Sequence, residues 1–497
     1  MDAKRGWLSR AGAGATAALL AGVILAGVTP ASALPPATVT LHLAATVTVP
    51  GRCDDATVTV SPDKTGQHVT VQRLVGSTWT VLVTATLGAG STVTVPLCFG
   101  WGALGTVPLR SAWQSDGVNA GDTSPRIDLV VRRAPWMIKV DQLAGGQSMS
   151  ISIADAGLSV YRRSDTVPRR PASNEKLLLS MALLRRLGPD AQLTTGAAAV
   201  SVSGGVVQGN LWLLGHGDPG ITNVRLSTLA QHIKDAGITQ ITGHVMGSTG
   251  YFSHDWFAPG WKPDFPKTEV AMPTALTFNR NTANGVHITD PERRAAAALA
   301  HRLRAMGVQV GGPAGMGTPP GGLHTIATII SAKLSTVIRP MDVYSLNFDA
   351  EVLGKRLAVS RFGPPGTIAK GAAVIHEFTA SNGVNATCHD SSGLSYSNYV
   401  SAFGIVALLR YAETTTWLSA LRQALPEAGQ GTLAGRLSGV RLRAKTGTLD
   451  RISALSGWVW IEQEGRWAEF SMLSSGDITT LKHLEDSILR VVAAHGP

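Results

Sequence analysis

A serine and a lysine lie three positions apart at the start of an apolar run that keeps helical spacing from Lys176 to Leu187. Gly188-Pro189 follows directly and predicts the end of this helix. Because positions i and i+3 share one helix face, we expect the amine of Lys176 beside the hydroxyl of Ser173. A lysine whose pKa is lowered by burial or by a second cation can take the proton of such a hydroxyl and make it nucleophilic. Taken alone, the pair is more often an N-cap serine followed by a solvated lysine.

Two further motifs follow in a fixed order and change that interpretation. Ser345-Leu346-Asn347 precedes a second helical run, and Lys445-Thr446-Gly447-Thr448 precedes two terminal strands. A Gly/Ser loop, Asp390 to Ser395, lies between them. Each motif is weak by itself. Together, the order S-x-x-K, S-x-N and K-T-G supplies every part of a serine acyl-transfer site.

The S-x-x-K and K-T-G motifs also occur once at a position where they predict no catalytic site. Ser61-Pro62-Asp63-Lys64 is an S-x-x-K and Lys64-Thr65-Gly66 is a K-T-G, but both fall in one predicted turn between alternating strands. No helical run follows to bring the serine and the lysine onto one face. We interpret this pair as coincidental.

From about residue 136 to the C-terminus, the chain resembles the low-molecular-mass penicillin-binding proteins of the D-alanyl-D-alanine carboxypeptidase/endopeptidase group, peptidase family S13. The resemblance covers about three-quarters of the chain. It implies an α/β fold, in which a penicillin-binding, β-lactamase-like transpeptidase domain has helices on both sides of an antiparallel sheet and carries an inserted α+β domain. The stretches that carry the resemblance, besides the three motifs, are Pro171-Ala172-Ser173, Gly215-His216-Gly217-Asp218-Pro219, Gly237-Ile238-Thr239, Ala275 to Asn281, Arg339-Pro340-Met341 and Arg443-Ala444-Lys445.

The resemblance implies a catalytic set drawn from all three motifs: Ser173, Lys176, Ser345, Asn347 and Lys445. The serine of the first motif would be acylated, and its lysine would take the proton. The serine of the second motif would pass a proton to the departing amine, while its asparagine would hold the base and the substrate amide. The lysine of the third motif would be the second cation. The substrate-binding residues would be Thr446, Gly447 and Thr448, with the backbone N–H groups of Ser173 and Thr448 as the oxyanion hole.

Three positions depart from the family pattern or match it poorly. Leu346 stands where the family usually has Asp, but only the outer two positions of this motif face the site, so we expect activity to survive. Ser391 stands where Gly is usual, which would be unfavourable if that position requires a positive φ. Asp264 is a candidate for contact with the substrate side chain, although its stretch aligns poorly and a surface carboxylate is the favoured interpretation.

Changes of pattern divide the chain into five segments. Residues 1–33 combine basic residues, an uncharged stretch and Ala31-Ser32-Ala33, which predicts a secretory signal peptide, with an uncleaved anchor as the alternative. Residues 34–134 alternate with period two between turns, which predicts a small immunoglobulin-like β-sandwich. Residues 135–190 and 325–497 are predicted to form the catalytic domain, interrupted by an inserted domain at residues 191–324. Within the first part, Trp136 to Val140 is predicted as a strand.

Charge and cysteine content narrow the partners and the compartment. The net charge of +10 includes no compact Lys/Arg block, which argues against nucleic acid and favours association with anionic envelope polymers. Export permits disulfides, and Cys53 and Cys98 are the candidate pair, although the sequence does not decide whether they are bonded. Cys388 is then left as a predicted buried thiol. His216 and His389 lack metal-ligand spacing, so no metal or cofactor is predicted.

The sequence therefore predicts an exported serine peptidase that cleaves D-Ala-D-Ala, or a D-amino-acid cross-link, in peptidoglycan stem peptides through a Ser173 acyl-enzyme and is inhibited by β-lactams. A serine β-lactamase is the first alternative, because it shares the opening chemistry. It also needs fast deacylation, often through a Glu-activated water, and the sequence assigns that role to neither Glu175 nor Glu351. A non-catalytic wall-binding protein that keeps the fold is the second alternative, motivated by the β module.

Overall fold

The computed structural model describes residues 33–495. All but the last residue of the predicted signal peptide lies outside the described residues. Within residues 33–495, no helix combines the length and the apolar character needed to cross a membrane.

The first described elements form a two-layer β-sandwich. Its strands are β1 (Thr38–Leu43), β2 (Val47–Thr48), β3 (Cys53–Ser61), β4 (His68–Val75), β5 (Thr78–Thr86), β6 (Thr92–Cys98), β7 (Gly105–Trp113), β8 (Asp122–Thr123) and β9 (Ile127–Val131). One sheet has the order β1-β3-β6, and the other has the order β2-β9-β7-β4-β5 with β8 beside β7. The period-two pattern places alternate residues of β3, such as Ala56 and Val58, in the core between the sheets. A disulfide joins Cys53 to Cys98, whereas Cys388 is a free thiol and is half-buried rather than fully buried.

The coincidental motif lies where the sequence predicts it. Ser61 ends β3, and Lys64 lies in the turn before β4. The buried ammonium of Lys64 donates to Asp116 Oδ2 and to Asn119 Oδ1, both at 2.7 Å. This lysine therefore ties its turn to the loop after β7 and has a structural role.

The next elements begin the central α/β part of the chain: α1 (Pro135–Ala144), β10 (Ser148–Asp155), β11 (Leu158–Arg163), β12 (Pro168–Arg169) and α2 (Glu175–Leu187). The strand prediction for Trp136 to Val140 is wrong, because these residues belong to α1. Proline is favourable in the first turn of a helix, and the buried face of α1 recurs at Trp136, Val140 and Ala144 with helical spacing. The predicted helix after Ser173 is confirmed as α2, which ends at Leu187 with Gly188 as its C-cap.

A mixed unit follows α2. Its elements are β13 (Thr194–Ala199), β14 (Val202–Ser203), β15 (Val206–Val207), β16 (Leu211–Gly215), α3 (Asn223–Asp235), β17 (Gln240–Ile241), β18 (Val245–Ser248), α4 (Phe265–Thr268), β19 (Thr282–Ala283), β20 (Val286–His287), α5 (Pro291–Ala305), β21 (Gln309–Val310), β22 (Gly315–Gly317) and β23 (His324–Ile330). Its larger sheet has the order β22-β18-β16-β13-β23. Helices α3 and α5 pack together over this sheet and bury an apolar core with it.

The remaining elements complete the central sheet. They are α6 (Leu334–Val343), α7 (Asn347–Phe362), α8 (Ile368–Ser381), β24 (Val400–Ser401), α9 (Ala402–Glu413), α10 (Leu418–Ala424), β25 (Leu442–Leu449), β26 (Ile452–Ile461), β27 (Arg466–Ser475) and α11 (Ile478–His495). The sheet is antiparallel with the order β11-β10-β27-β26-β25, so strands distant in sequence pair directly. One apolar core lies between the sheet and helices α2 and α6 to α10, and a second lies between the sheet and helices α1 and α11. The predicted α/β class, with helices on both sides of an antiparallel sheet, is confirmed.

The β-sandwich contacts one edge of this central sheet. The rings of Trp101 and Tyr161 meet with their centroids 5.3 Å apart. Gly100 approaches β11 so closely that a Cβ at this position would lie 2.9 Å from the carbonyl oxygen of Ser159. Because β11 and β25 are the two edges of a five-stranded sheet, four strand spacings, about 19 Å, separate this contact from β25.

Candidate active site

Ser173 lies at the entrance to α2, in a short 3-10 turn (Ala172–Asn174) that runs directly into the helix. Its side chain is half-buried, whereas Lys176, one turn further on, is fully buried. Lys176 Nζ lies 3.0 Å from Ser173 Oγ. The two groups thus meet as the i, i+3 spacing predicts, with the hydroxyl nearer to solvent and the amine beneath it.

The Lys176 amine also contacts two distant parts of the chain. Its Nζ lies 2.8 Å from Asn347 Oδ1, at the start of α7, and 2.5 Å from the carbonyl oxygen of Ser392. Burial lowers the pKa of Lys176 to about 8, although the neighbouring carboxylates of Asp390 and Glu351 oppose that shift. A useful fraction of the amine is therefore neutral in mildly alkaline solution and can accept a proton.

A second buried lysine comes from β25. Lys445 Nζ lies 2.9 Å from Ser345 Oγ and 2.9 Å from the carbonyl oxygen of Thr446. Burial lowers the pKa of Lys445, the charge of Lys176 lowers it further, and the carboxylate of Asp342 raises it. The five residues of the predicted catalytic set thus form two groups. Hydrogen bonds join Ser173 and Asn347 to Lys176, and another joins Ser345 to Lys445. The two groups lie close enough for the charge of Lys176 to affect Lys445.

The K-T-G motif passes directly over the turn that carries Ser173. A Cβ at Gly447 would lie 2.7 Å from the carbonyl oxygen of Pro171 and 3.1 Å from Ala172 Cβ, so only glycine allows this approach. Thr446 is buried, and its hydroxyl contacts that of Thr432 at 2.7 Å. Thr448 is exposed.

The backbone of β25 offers donors on its outer side. The N–H of Ala444 donates to the carbonyl oxygen of Pro426, which lies outside the central sheet. Alternate residues of an antiparallel strand direct their backbone groups to the same side. The N–H groups of Thr446 and Thr448 therefore face the outer edge, beside the Ser173 turn.

The Gly/Ser loop packs beneath the same turn. Gly393 has φ +80°, and a Cβ there would lie 1.9 Å from the carbonyl oxygen of Ala172. Ser391, which replaces the usual family glycine, does not have a positive φ. The hydroxyl of Ser391 packs against Gly354 of α7. A Cβ at Gly354 would lie only 2.0 Å from Ser391 Oγ, so the glycine makes room for the serine. The substitution is therefore accommodated without backbone strain.

Two buried carboxylates hold this loop, a role that the sequence motifs do not indicate. Glu351 Oε1 accepts the N–H groups of Ser391 at 3.0 Å and Ser392 at 2.8 Å. Asp390 Oδ2 accepts the indole N–H of Trp261 at 2.7 Å. The available signal for Glu351 was its position one helical turn after Asn347, on the same face of α7.

Asp264 is not part of the contacts that join the catalytic set. It is exposed at the N-terminus of α4, and its role in binding a substrate side chain stays a prediction. Its neighbours do reach the site, because Lys262 pairs with Asp450, two residues beyond Thr448. The carbonyl oxygen of Glu269 also accepts from Asn347 Nδ2 at 3.3 Å.

Among residues 33–495, no group of three His, Cys, Asp or Glu side chains is arranged to hold a metal ion.

The fold and the site define a serine hydrolase of the penicillin-binding class. Penicillin binding protein 4 of Haemophilus influenzae has the same fold, with a TM-score of 0.63 at 19% identity over 72% of this chain and 99% of that one. A second structure of that protein, in complex with a β-lactam, matches with a TM-score of 0.58 at 20% identity over 72% of this chain and all of that one.

The family follows from the sequence matches. The model of the D-Ala-D-Ala carboxypeptidase 3 (S13) family matches residues 137–285 and 281–494, and the chain belongs to this family. A carboxypeptidase of Mycobacterium tuberculosis is 30% identical over 378 residues, which cover 69% of this chain and 79% of the relative. A D-alanyl-D-alanine carboxypeptidase of Actinomadura sp. (strain R39) is 28% identical over 411 residues, 64% of this chain and 76% of the relative. The protein is therefore a serine peptidase, and the β-sandwich precedes the part that the family model matches.

Proposed function

We propose that this enzyme cleaves the bond between two D-alanines, or a D-amino-acid cross-link, in peptidoglycan stem peptides through an acyl-enzyme on Ser173. The observation that carries the proposal is the contact of Ser173 Oγ with a buried lysine of lowered pKa, close to a second buried lysine that contacts a second serine. The names of the family and of its relatives support the choice of substrate.

Acylation begins when neutral Lys176 takes the Ser173 proton and Ser173 Oγ attacks the carbonyl carbon of the scissile bond. The oxyanion that forms is bound by the backbone N–H groups of Ser173 and Thr448, each contributing about 2.7–4 kcal/mol. Ser345 gives its proton to the departing amine and regains one from Lys445. The acyl ester on Ser173 and a free amine are the products of this step.

Deacylation repeats these transfers in reverse, with water in place of the amine. Water attacks the ester carbon and passes a proton through Ser345 to Lys445. Ser173 leaves as an alkoxide and takes its proton back from Lys176. Both lysines then have their starting charges, and the shortened peptide leaves with a new carboxylate.

The charges and donors of β25 fit the terminal carboxylate of the substrate. Lys445 supplies a positive charge, and the hydroxyls of Thr446 and Thr448 supply donors along the same strand. A β-lactam has a carboxylate next to its strained amide, so it enters the same site and stops at the ester. The complex of the H. influenzae relative with a β-lactam supports this expectation.

The β-lactamase alternative needs a carboxylate that activates water at the ester. Glu175 is fully buried, and burial together with the charge of Asp390 raises its pKa to about 8. Glu351 is fully buried and binds two backbone N–H groups. Both carboxylates are therefore shielded from bulk water, whereas Ser173 is only half-buried. This arrangement favours slow deacylation of a penicilloyl ester and therefore the peptidase.

The proposal is tested by labelling the protein with fluorescent penicillin and mapping the modified peptide by mass spectrometry. We expect a single penicilloyl group on Ser173, abolished in Ser173→Ala. Ser61→Ala is the matched control, because Ser61 belongs to the coincidental S-x-x-K, and it should label normally. Label that persists in Ser173→Ala would show that another serine is the nucleophile. Absence of label on the folded wild type would favour the non-catalytic wall-binding alternative.

A second assay separates the two enzymatic alternatives. D-alanine release from a synthetic stem pentapeptide is compared with turnover of a chromogenic cephalosporin by the same preparation. We expect repeated release of D-alanine and at most one equivalent of rapid cephalosporin opening. Rapid continuous cephalosporin turnover without D-alanine release would identify a β-lactamase.

We also propose that the enzyme is exported and acts in the cell wall or periplasmic space, with a net charge that favours anionic envelope polymers. Two features support export: the sequence pattern of residues 1–33 and the disulfide between Cys53 and Cys98, which is typical of oxidising compartments. N-terminal sequencing of the secreted protein should give a start near Leu34. Intact residues 1–33 on a membrane-bound protein would identify the uncleaved anchor instead.

A further inference from the structure

The first turn of α7 carries Asn347, whose Oδ1 lies 2.8 Å from Lys176 Nζ. The N-cap position of this helix is Leu346, and a leucine side chain cannot accept a hydrogen bond from the backbone N–H groups of a first turn. Helix ends that lack such a bond tend to fray. The position of the Asn347 amide beside the base therefore depends on other contacts to this turn.

Arg280, from the mixed unit, makes a bidentate ion pair with Asp349 in that turn. Arg280 Nε lies 2.8 Å from Asp349 Oδ1, and Arg280 Nη2 lies 3.2 Å from Asp349 Oδ2. Asp349 is buried, whereas about half of the Arg280 side chain is exposed. A planar guanidinium that donates twice fixes the orientation of a carboxylate as well as its distance. The pair thus fastens the residue two positions after Asn347 to the mixed unit.

The backbone of Arg280 has an unusual conformation that its neighbours hold in place. The angle φ is +50° at Arg280, +49° at Asn279 and +53° at Asn281. Asparagine tolerates this left-handed region, but arginine does so only at a cost. Asn281 Oδ1 accepts the N–H of Phe278 at 2.8 Å, and Asn281 Nδ2 donates to the carbonyl oxygen of Met272 at 2.8 Å. A strained residue that hydrogen bonds hold in this way indicates a specific role for its side chain.

The same segment of the mixed unit also contacts Asn347 directly. The carbonyl oxygen of Glu269 accepts from Asn347 Nδ2 at 3.3 Å, while Asn347 Oδ1 contacts Lys176 Nζ. One end of the amide therefore meets the mixed unit and the other end meets the base. Because Arg280 holds the turn and Glu269 meets the amide, a shift of α7 away from this segment would carry Asn347 away from Lys176.

We propose that Arg280 is a positioning residue that clamps the first turn of α7 through Asp349 and thereby holds Asn347 against Lys176. The inference deepens the proposed function and rests on it. The hydrogen-bond partner of Arg280 is Asp349, which is not a member of the catalytic set. The mixed unit therefore contributes to acylation through the geometry of the base.

The experiment measures urea unfolding and the second-order rate of acylation by fluorescent penicillin in the full chain with Arg280→Ala. Arg466→Ala is the matched control, because Arg466 also makes a bidentate pair with a buried carboxylate, that of Asp155 at the end of β10. We expect similar losses of stability in the two variants. Acylation should fall about 10- to 100-fold in Arg280→Ala, since a misplacement of about 1 Å can lower a rate about 100-fold. The control should acylate at the wild-type rate.

Two further measurements separate positioning from a purely structural role. Arg280→Lys keeps the charge but loses the planar fork, so it should recover part of the rate that Arg280→Ala loses. In an Asn347→Ala background, Arg280→Ala should slow acylation much less than it does in the wild type, because the amide that it positions is gone. Its effect on stability should be the same in both backgrounds.

Equal slowing of acylation in Arg280→Ala and Arg466→Ala, or a wild-type rate in Arg280→Ala, would overturn the proposal. An equal effect of Arg280→Ala with and without the Asn347 amide would also overturn it and make Arg280 a structural residue. If Arg280→Ala fails to fold, or Asn347→Ala labels too slowly to measure, Arg280→Lys is compared with Arg466→Lys, and only the first should acylate more slowly. Failure of the proposed function gives a different result, because the wild type itself would then take up no penicillin.

Discussion

Glu351 connects the base to the turn that carries the nucleophile, and its replacement probes both. Its Oε1 accepts two buried backbone N–H groups, at 3.0 and 2.8 Å. Leaving one buried donor unpaired costs about 1–3 kcal/mol, so Glu351→Ala should lower the free energy of unfolding by about 2–6 kcal/mol. Glu351→Gln keeps an acceptor oxygen for both N–H groups, and we expect it to lose less than half as much.

The same change should slow acylation. The loop held by Glu351 carries the carbonyl oxygen of Ser392, which contacts Lys176 Nζ, and Gly393, which packs against Ala172. A loosened loop releases the base, and a misplacement of about 1 Å can lower the rate by about 100-fold. We therefore expect the acylation rates to fall in the order wild type, Glu351→Gln, Glu351→Ala.

The assay combines urea unfolding, followed by tryptophan fluorescence, with penicillin acylation rates on the same preparations. Glu377→Ala is the control, because Glu377 is 46% exposed and makes a surface ion pair with Arg361, an interaction worth about 0–1 kcal/mol. If Glu351→Ala unfolds at the same urea concentration as this control and acylates at the wild-type rate, the two hydrogen bonds do not hold the loop and the reasoning fails.

Three further predictions address the glycine contact, the disulfide and the base. Gly393→Ala should abolish penicillin labelling, because its Cβ would overlap the Ala172 carbonyl, whereas Gly66→Ala has a similar positive φ in open space and should cost about 1 kcal/mol in thermal unfolding and keep its label. The double change of Cys53 and Cys98 to Ser opens a loop with a sequence separation of 45 and should destabilise the sandwich by about 4 kcal/mol in calorimetry without changing acylation. The wild-type acylation rate should rise about tenfold per pH unit below pH 8, since protonated Lys176 cannot take a proton, and a rate that is flat between pH 5 and 8 would exclude it as the base.

The catalytic set could be predicted from the sequence because each member belongs to a short motif with a fixed internal spacing. The contact between Ser173 and Lys176 follows from helix geometry alone, once the apolar run identifies α2. The meeting of Ser345 with Lys445 does not follow from local spacing, since 100 residues separate them. That contact was implied by the order of the motifs and their resemblance to a family.

The supporting residues could not be predicted for a physical reason. Glu351 and Asp390 are charged, and charged residues are usually exposed, so nothing in the local pattern indicates burial. Their roles depend on backbone N–H groups and an indole N–H from other segments, which only the folded chain brings close. The error at Trp136 is of another kind: a short run of aromatic and branched residues is compatible with helix or strand, and Pro135 was the overlooked helix signal.

The location of the β-sandwich has a consequence for how a cross-linked network could reach the enzyme. The sandwich contacts β11, whereas Gly447 and Thr448 belong to β25 at the far side of the sheet. The edge strand that carries Gly447 and Thr448 is therefore not the edge strand that packs against the sandwich. A molecule bound by the sandwich and a peptide bound along β25 would thus be held about 19 Å apart, on opposite edges of one sheet, so the two could be occupied at the same time.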